Sequence, residues 1–540
     1  MLFFVRISLH GIFGVRSGLR ITFLIVDNTP VQNLVDFSRR NMPAVHPAPG
    51  MFGENELTPT IKRNWPGAMV RRIELNGFLI RGVTGGDPGY PYPNSEFPKH
   101  LLKLQARTRM ILSLPPMIGP KTVAFHTLGC KLNFSETSSL TRLMEKEGFQ
   151  KKSFDSLADI YVINTCSVTE NADKECRYLV RQIQRKSPES FVVITGCYAQ
   201  LKPREIAEIP GVDLVLGAAE KFNLATHIRE LVKGDSAKIC SCDIEQVNIF
   251  HDGYSLSDRT RAFLKVQDGC DYQCSFCTIP MARGKSRSDS LSHVLKNVED
   301  LARKGIKEIV LTGVNLGDFG NLDPQSKRKT ENFLELARSL NQTTQIPRFR
   351  ISSIEPNLLN NDIIDLVANS DRFMPHFHIP LQSGSNRILA LMRRRYTREL
   401  YAEKISLIKT LIPHAAVGAD VIVGFPGESD DDFKETVDFI LSLDLSYLHV
   451  FTYSERDNTR AIEMKPVVPV RVRNERNKIL RNLSFQKLQY FTALHRGQTR
   501  KVLFERSRDK TMMEGFTDNY IKVTVPYHEQ WVNQIVEWSL

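Results

Sequence analysis

The sequence predicts an α/β protein with three parts: a parallel-sheet domain, a partial (β/α)6 barrel and a small C-terminal β-barrel. Three observations predict this class. Apolar runs alternate with segments of helical spacing from Lys121 onward, the alternation pauses in a polar stretch at residues 233–258, and it ends in a long basic helix followed by short strands. The 540 residues are enough for several packed cores. No run of 18 apolar residues occurs, so a membrane-spanning helix is not expected.

Residues 1–116 differ in composition from the rest of the chain. They hold 12 of the 27 prolines, contain no cysteine and show no sustained helical or strand period. The opening MLFFVRISLHGIFGVRSGLRITFLIV contains arginine but no acid, which is typical of a transit peptide or a weak signal sequence. We interpret residues 1–116 as a disordered leader or as the result of a start codon placed too early, with Met117 as the functional start.

The first domain is expected at residues 119–232. TVAFHTLGC, ADIYVINTC and FVVITGC are apolar runs followed by helical segments, and VDLVLG adds a fourth strand. Each of the first three runs ends in a cysteine: Cys130, Cys166 and Cys197. Because the carboxyl ends of parallel strands lie side by side about 4.8 Å apart, we expect these thiols to share one metal cluster. The alternative is three separate buried cysteines.

The second domain is expected at residues 259–488, after a linker at 233–258. FLKVQ, EIVLTG, FRISSI, HFHIPL, GADVIVG and YLHVFTY predict six strands of a partial barrel. Directly after the first strand, GCDYQCSFC sets Cys270, Cys274 and Cys277 in a CxxxCxxC pattern. Three thiolates can hold three irons of a 4Fe-4S cluster and leave the fourth iron open. That iron can chelate S-adenosylmethionine (SAM), whose sulfonium is then cleaved by an electron from the cluster.

A structural zinc site is the alternative for this loop, but no fourth Cys or His follows closely. All nine cysteines lie between residues 130 and 277, which favours metal binding in a reducing compartment over a disulfide framework. Cys176 reads as a packed helical residue, and Cys240 and Cys242 as linker residues.

Other candidates for contacts with SAM end the next three strands of the barrel. They are Gly313 and Asn315, Ser353 and Glu355, and Gln382 and Ser383. Structural roles compete with this interpretation, since Gly313 can serve a turn and Glu355 can cap a helix. Arg283 is a candidate for binding a carboxylate or phosphate, or a solvated loop charge, and Asp420 reads as a polar strand end.

Residues 465–510 carry 13 Lys and Arg against three acidic residues, a net charge of +10 within a chain of net charge +12. Phe485, Tyr490 and Phe491 are interleaved with these cations. Cations contact phosphates and rings stack on exposed bases, so this segment is the predicted contact with RNA. The alternative is an amphipathic helix whose aromatic residues belong to the core.

Seven motifs together carry a family resemblance over residues 120–535: TLGCKLN, INTCSVT, ITGCYAQ, GCDYQCSFCTIPMARGKSRS, SSIEP, HIPLQSGS and VIVGFPGE. In this order they resemble the methylthiotransferase family of radical SAM enzymes. The resemblance implies an auxiliary 4Fe-4S cluster on Cys130, Cys166 and Cys197 beside the first one, so two 4Fe-4S clusters and SAM as cofactors. It also implies an RNA-binding TRAM domain at residues 489–540, whose last strand or two would be missing after Leu540.

The wording of TLGCKLN, LTGVNLGDFG and GADVIVGFPGE is most similar to the branch that modifies threonylcarbamoyl-adenosine. That branch adds a methylthio group at C2 of adenosine 37 in the tRNA anticodon loop. Three alternatives remain: isopentenyl-adenosine 37 of tRNA, an aspartate of a ribosomal protein, and a non-catalytic iron-sulfur RNA-binding protein. The resemblance further implies a flavodoxin- or ferredoxin-like electron donor, a sulfur source, no membrane partner and a cytoplasmic location.

Overall fold

The computed structural model describes residues 121–540, except 168–169, 235, 257–259, 321–328 and 508–509. Before residue 117 it describes only four backbone strands, which form an antiparallel sheet: Phe3–Ile7, Ile21–Ile25, Met69–Leu75 and Phe78–Thr84. The interpretation of residues 1–116 as a leader therefore falls mostly outside the described residues and stays a prediction. The chain divides into two compact units, Met1–Pro116 and Met117–Leu540. No helix among the described residues is both long enough and apolar enough to cross a membrane.

The first domain is a six-stranded parallel sheet in which the strand order is β6-β5-β4-β3-β1-β2. Its strands are β1 Thr122–Thr127, β2 Gln150–Lys152, β3 Ile160–Thr165, β4 Phe191–Gly196, β5 Leu214–Leu216 and β6 Lys238–Cys240. Its helices are α1 Lys131–Lys146, α2 Glu170–Lys186, α3 Cys197–Leu201, α4 Pro203–Ala207 and α5 Leu224–Arg229. Strand β3 is buried along its whole length, as expected of a parallel strand covered by helices on both faces.

The second domain holds six parallel strands in chain order, in two groups of three that pair within each group and are joined by isolated parallel bridges. They are β8 Arg261–Lys265, β11 Glu308–Thr312, β12 Arg348–Ile351, β13 His376–His378, β14 Ala416–Val423 and β15 Tyr447–Thr452. Shorter strands beside them are β7 Gly253–Tyr254, β9 Gln267–Asp268 and β10 Arg287–Ser288. The helices are α6 Ile279–Arg283, α7 Leu291–Arg303, α8 Phe333–Thr343, α9 Asn361–Ala368, α10 Asn386–Leu391, α11 Arg398–Leu411 and α12 Asp430–Ser442. All six strands predicted for the barrel are present.

The segment interpreted as a linker joins both sheets. Strand β6 pairs in parallel with β5 of the first domain, and β7 pairs in antiparallel fashion with β8 of the second. Helix α1 packs against β7 and β8, so the first domain lies along the side of the second where the strand series begins. A purely apolar pattern search misses both strands because they are only two and three residues long.

The C-terminal part begins with the predicted long helix, α13 Val470–Leu494. A four-stranded antiparallel sheet follows, formed by β16 Thr499–Phe504, β17 Met512–Thr517, β18 Lys522–Pro526 and β19 Ile535–Ser539. The predicted TRAM barrel is not confirmed. In the part of the chain that is described, β18 and β19 form opposite edges of an open sheet, and four short strands are too few to close a barrel around a core.

Candidate active site

Cys270, Cys274 and Cys277, hereafter the loop cysteines, lie on a tight loop between β9 and β10. Gly269 allows this loop, since its φ is +71° and a Cβ there would lie 2.0 Å from the carbonyl oxygen of Lys285. The backbone N–H of Cys270 donates to the Gly284 carbonyl at 3.0 Å, and that of Cys277 donates to the Cys274 carbonyl at 3.2 Å. All three residues are partly exposed. The loop therefore holds three thiols within eight residues of sequence.

Burial, with a smaller contribution from the neighbouring thiols of the loop, raises the pKa of Cys270 and Cys277 to about 12. A thiol with so high a pKa is not ionised at neutral pH unless a cation compensates its charge. Iron supplies such a charge, so this set of donors fits a 4Fe-4S cluster.

Arg394 is the side chain that the sequence reasoning missed at this loop. It is buried, its Nη1 donates to the Cys274 Sγ at 3.1 Å, and its Nη2 forms an ion pair with Glu355. Glu355 thus holds the guanidinium against a thiol, a role that differs from the SAM contact and the helix cap proposed for it. Arg394 lies 120 residues after Cys274 in the sequence, so no spacing pattern connects the two residues. The only local signal was its position among the three arginines of the RRRYT segment after α10.

Two of the residues suggested for SAM keep buried polar atoms without any hydrogen-bond partner among the described residues. They are Nδ2 of Asn315 and Oε1 of Gln382. An orphaned buried donor or acceptor costs about 1–3 kcal/mol, so such atoms indicate the place of a polar ligand. Gln382 also has a φ of +67°, a left-handed backbone conformation that is costly for a residue other than glycine and that clusters at ligand-binding sites. One donor after β11 and one acceptor after β13 fit the polar groups of SAM.

The other SAM candidates have partners within the protein. A Cβ on Gly313 would lie 2.9 Å from Oε1 of Gln267, so close packing favours glycine there. The Ser383 hydroxyl lies 3.2 Å from the Thr436 hydroxyl and accepts from the Ser385 N–H. Ser353 pairs with His378 in the bridge between β12 and β13. These contacts support structural roles for Gly313, Ser353 and Ser383.

Cys130, Cys166 and Cys197, hereafter the strand-end cysteines, follow three adjacent strands. Cys130 is the N-cap of α1, Cys166 comes directly after β3, and Cys197 begins α3 directly after β4. Thr165 pairs with Gly196 in the sheet, so Cys166 and Cys197 leave neighbouring strands at the same level. A Cβ on Gly129 would lie 2.8 Å from the Cys166 Sγ. The residue before Cys130 therefore touches Cys166, and the sheet brings the three cysteines together.

Five buried ionic side chains lie near the strand-end cysteines; we call them the buried charge network. Oε1 of Glu136 lies 2.8 Å from Lys221, 2.9 Å from Lys265 and 3.1 Å from Arg283. Asp268 lies 2.7 Å from Lys265 and 2.9 Å from Arg283. Burial alone would raise the pKa of Glu136, but the three cations outweigh it and hold that pKa well below its usual range.

Arg283 is therefore neither a solvated loop charge nor a free anion ligand. Its guanidinium also donates to Oδ1 of Asn133 at 2.6 Å, and its charge acts on the thiols of Cys197 and Cys130. Burial raises the pKa of Cys197, and Arg283 counteracts that rise. The network counts three cations against two acids, so it leaves one positive charge that favours anionic thiolates at the strand-end cysteines.

Comparison with known proteins finds a matching family model for each of the two domains that carry the cysteine sets. Residues 122–217 match the model of the Uncharacterized protein family UPF0004, and residues 264–440 match the Radical SAM superfamily. Threonylcarbamoyladenosine tRNA methylthiotransferase MtaB of Bacillus subtilis is 39% identical over 427 residues, which cover 77% of this chain and 93% of that protein. The protein of the same name from Aquifex aeolicus is 40% identical over 405 residues, covering 74% and 96%.

The chain belongs to the MtaB-type methylthiotransferase family. A member of the neighbouring branch, tRNA-2-methylthio-N(6)-dimethylallyladenosine synthase of Clostridium tetani, is 29% identical over 425 residues, covering 77% of this chain and 93% of that protein. This MtaB-type protein is thus a radical SAM methylthiotransferase that uses SAM and a 4Fe-4S cluster. The family assigned from the seven motifs is confirmed.

The MtaB-type chain also holds a polar group that the sequence reasoning did not foresee. Nε2 of His378 lies 2.8 Å from Oδ1 of Asp420, and Nδ1 of His449 lies 3.2 Å from the same oxygen. These side chains come from β13, β14 and β15, so they share one face of the strand array. Asp420 is more than the polar strand end assumed for it. Burial opposes its ionisation, but the two imidazoles outweigh burial and lower its pKa.

The remaining three cysteines lie outside both sets. Cys176 is fully buried in α2, and burial raises its pKa to about 12, in agreement with the packing role expected for it. The Cys240 Sγ lies 3.7 Å from Nδ1 of His227, and the Cys242 carbonyl accepts from the Gln200 amide at 2.9 Å.

Proposed function

We propose that this MtaB-type enzyme adds a methylthio group to C2 of N6-threonylcarbamoyl-adenosine 37 in tRNA. The observation that carries the proposal is the presence of two cysteine sets, one on the loop after β9 and the other after three adjacent strands of the first sheet. Support for this tRNA branch comes from identity, which is 39–40% to the two threonylcarbamoyladenosine enzymes and 29% to the dimethylallyladenosine enzyme. The last comparison makes isopentenyl-adenosine 37 the second candidate substrate.

In this proposal the loop cysteines hold the 4Fe-4S cluster that binds SAM, and the strand-end cysteines hold a second 4Fe-4S cluster for sulfur delivery. When bound, SAM and the first cluster supply a carbon radical able to attack an unactivated aromatic C–H. The protein contributes binding and orientation. Asn315 and Gln382 offer a donor and an acceptor to SAM, and Arg394 places positive charge on Cys274. The sulfur source and a flavodoxin- or ferredoxin-like electron donor are further partners.

Helix α13 supports tRNA as the partner. Arg471, Lys478 and Arg481 are exposed on it, and Phe485 and Tyr490 are 61% and 65% exposed, so cations and rings are available together. Phe491, by contrast, belongs to the core. We propose that this face and the following antiparallel sheet form the RNA-binding part, in the place of the TRAM domain of the family.

Two basic residues of this helix cannot serve RNA. Arg473 is buried against Glu455 and the Val468 carbonyl, and Arg476 is buried against Glu428 and Asp430. Reversing the charge of Arg476 would leave the buried Glu428 unpaired, and reversing either arginine would place a new acid in a buried position and destabilise the segment. A test of RNA binding must therefore leave both arginines in place.

The substrate is tested on anaerobically reconstituted protein with SAM, a reductant and an anticodon stem-loop that carries threonylcarbamoyl-adenosine. Mass spectrometry of the digested RNA should reveal the methylthio nucleoside. Modification of an isopentenyl-adenosine stem-loop in its place would assign the protein to the neighbouring branch. Release of 5'-deoxyadenosine separates both outcomes from a non-catalytic iron-sulfur protein, which has no use for SAM cleavage.

The RNA-binding face is tested by charge reversal on α13. The pair Lys478→Glu and Arg481→Glu should weaken stem-loop binding and lower the slope of log K against log salt by about 2, since each lost phosphate contact lowers it by about 1. The matched control is Lys296→Glu with Arg303→Glu, on the exposed face of α7. An unchanged slope in the α13 pair would favour the protein acceptor, a ribosomal aspartate.

A further inference from the structure

Three polar side chains at one edge of the first sheet contact one another in a row. The Cys240 Sγ lies 3.7 Å from Nδ1 of His227, and Nε2 of the same imidazole lies 2.8 Å from Oε2 of Glu220. Because an ionised carboxylate only accepts hydrogen bonds, it holds the proton of a neutral imidazole on Nε2 and leaves Nδ1 as an acceptor beside the thiol. The row therefore consists of a nucleophile, a base and a group that orients the base.

The charge states of these groups suit a proton transfer from the thiol. Hydrogen bonds from His227 and Asn223 lower the pKa of Glu220, so its carboxylate is ionised at neutral pH. Burial raises the pKa of Cys240, so its thiol keeps the proton at rest and needs a base to become a nucleophile. His227 is placed to be that base, and the negative charge of Glu220 stabilises the imidazolium that forms.

Cys240 can be reached from outside the protein. It is the last residue of β6, which is the edge strand of the first sheet, and its neighbours Ile239 and Ser241 are exposed. Cys240 itself is partly exposed, and the side chains of His227 and Glu220 are 15% and 34% exposed. A donor molecule can therefore approach the thiol and its base together.

Cys240 also lies at the same end of the sheet as the strand-end cysteines. It pairs with Leu216, and Leu216 pairs with Thr195, two residues before Cys197. Two strand spacings of about 4.8 Å therefore separate the backbone of Cys240 from the end of β4. A group taken up at Cys240 is thus close to the place proposed for the second cluster.

We propose that Cys240 takes up sulfane sulfur from a persulfide, with His227 as its base and Glu220 as the residue that positions His227. This rests on the proposed function, which requires a sulfur source for the second cluster. The Cys240 thiolate attacks the outer sulfur of the donor R–S–SH, whose S–S bond breaks as a new S–S bond forms on Cys240. The leaving thiolate RS⁻ takes the proton from His227, so the exchange has no net oxidation or reduction.

The sulfur is then released from Cys240 by reduction. Two electrons from the flavodoxin- or ferredoxin-like donor cleave the new S–S bond, which yields hydrosulfide for the second cluster and returns Cys240 as a thiolate. The donor that SAM cleavage already requires therefore also supplies this step.

Uptake is measured on anaerobically reconstituted full-length protein, with glutathione persulfide in one arm and a cysteine desulfurase with cysteine in the other. The tryptic peptide that starts at Ile239 holds both Cys240 and Cys242, because the next basic residue is Arg259. Cys242→Ser is therefore the control, and its peptide should still gain one sulfur atom, whereas that of Cys240→Ser should gain none on Cys242. The arm that loads Cys240 identifies a small or a protein donor, and loading in neither arm overturns the proposal.

The role of the imidazole is tested by the rate of uptake. His227→Gln should slow loading about 100-fold without lowering its final extent, since a general base changes a rate and not an equilibrium. Glu220→Gln should slow it by a smaller factor. His293→Gln is the matched control, because His293 makes a similar contact with Asp289 on the exposed face of α7. A normal rate in His227→Gln, or a reduced extent at a normal rate, overturns the assignment of the base.

Isotopically labelled glutathione persulfide connects uptake to the reaction. In the wild type the label should appear in the methylthio group of the stem-loop, whereas Cys240→Ser should keep its iron and its release of 5'-deoxyadenosine but lose the labelled product. Equal label in the product of Cys240→Ser overturns the inference. If the wild type loads Cys240 and cleaves SAM but modifies no stem-loop, the proposed function fails while sulfur uptake at Cys240 stands.

Discussion

The loop cysteines and the strand-end cysteines are brought together by different parts of the backbone structure. The loop cysteines occupy eight consecutive residues, Cys270 to Cys277, and need only one tight loop closed by Gly269. The strand-end cysteines span Cys130 to Cys197 and come together only because β1, β3 and β4 are neighbours in the sheet. A substitution that alters the loop conformation should displace the loop cysteines, whereas one that alters the packing of the sheet should displace the strand-end cysteines. Each set also has its own arginine, Arg394 or Arg283.

The largest effect is expected from Cys274→Ala. It removes one of the three thiolates proposed to hold the SAM-binding cluster, so release of 5'-deoxyadenosine and all methylthio transfer should disappear. Iron content should fall by about four atoms per chain. Cys176→Ala is the matched control, because Cys176 is a buried cysteine in the core of the first domain. A fully active Cys274→Ala protein would contradict the assignment of the loop cysteines.

Cys166→Ala should distinguish the functions of the two cysteine sets, because it changes only the strand-end cysteines. Radical formation depends on the loop cysteines, so 5'-deoxyadenosine should still form at a rate near that of the wild type. Methylthio transfer should stop, and about four iron atoms should be lost. Circular dichroism must first establish that the sheet is folded, since Cys166 is buried between strands. A folded variant with full iron content and normal methylthio product would make the strand-end cysteines ordinary core residues.

These two sites also mark what could be predicted from the sequence. The CxxxCxxC spacing and the cysteines at strand ends are local or periodic signals, so both sets and all six barrel strands were foreseen. Arg394 and Glu136 were not, because their roles arise from contacts across 39 to 147 residues of sequence that no spacing encodes. Gly313 and Ser383 stay predicted SAM contacts, although close packing at Gly313 and the Thr436 hydroxyl beside Ser383 give both residues a structural role that the sequence did not reveal.

Glu136→Gln should reduce stability more than activity. The change keeps the shape but leaves Lys221, Lys265 and Arg283 with Asp268 as their only acid in the buried charge network. Breaking a buried ion pair costs about 3–5 kcal/mol of unfolding free energy. Urea unfolding measures this cost, and Glu145→Gln, exposed on the same helix, should change it by no more than about 0.5 kcal/mol.

The difference in unfolding free energy between the wild type and Glu136→Gln should also depend on pH, which gives a second measurement on these two proteins. The pKa of Glu136 is depressed in the folded state. The stabilisation of the folded protein by ionised Glu136 is therefore complete above the pKa of an unfolded glutamate, about 4.3. It is lost as the pH falls through the lower pKa of Glu136 in the folded state. The stability gap between wild type and Glu136→Gln should be constant near neutral pH and narrow only in acid. A gap that narrows already at neutral pH would contradict an ionised Glu136.

The smallest expected effect is a shift in the reduction potential of a cluster on the loop cysteines when Arg394 or Glu355 is changed. The sign of that shift tests whether Arg394 acts through its charge. Its N–H bond to the Cys274 Sγ and its positive charge should both stabilise the more negative, reduced state of a cluster on the loop cysteines. Arg394→Met should therefore shift the reduction potential of that cluster downwards, and Glu355→Gln, which removes a nearby negative charge while keeping Arg394, should shift it upwards. Redox titration followed by electron paramagnetic resonance measures both shifts, with Cys166→Ala as the background so that only the loop site contributes. Shifts of the same sign in both variants would mean that Arg394 supports the loop mechanically, without acting on the charge of the cluster.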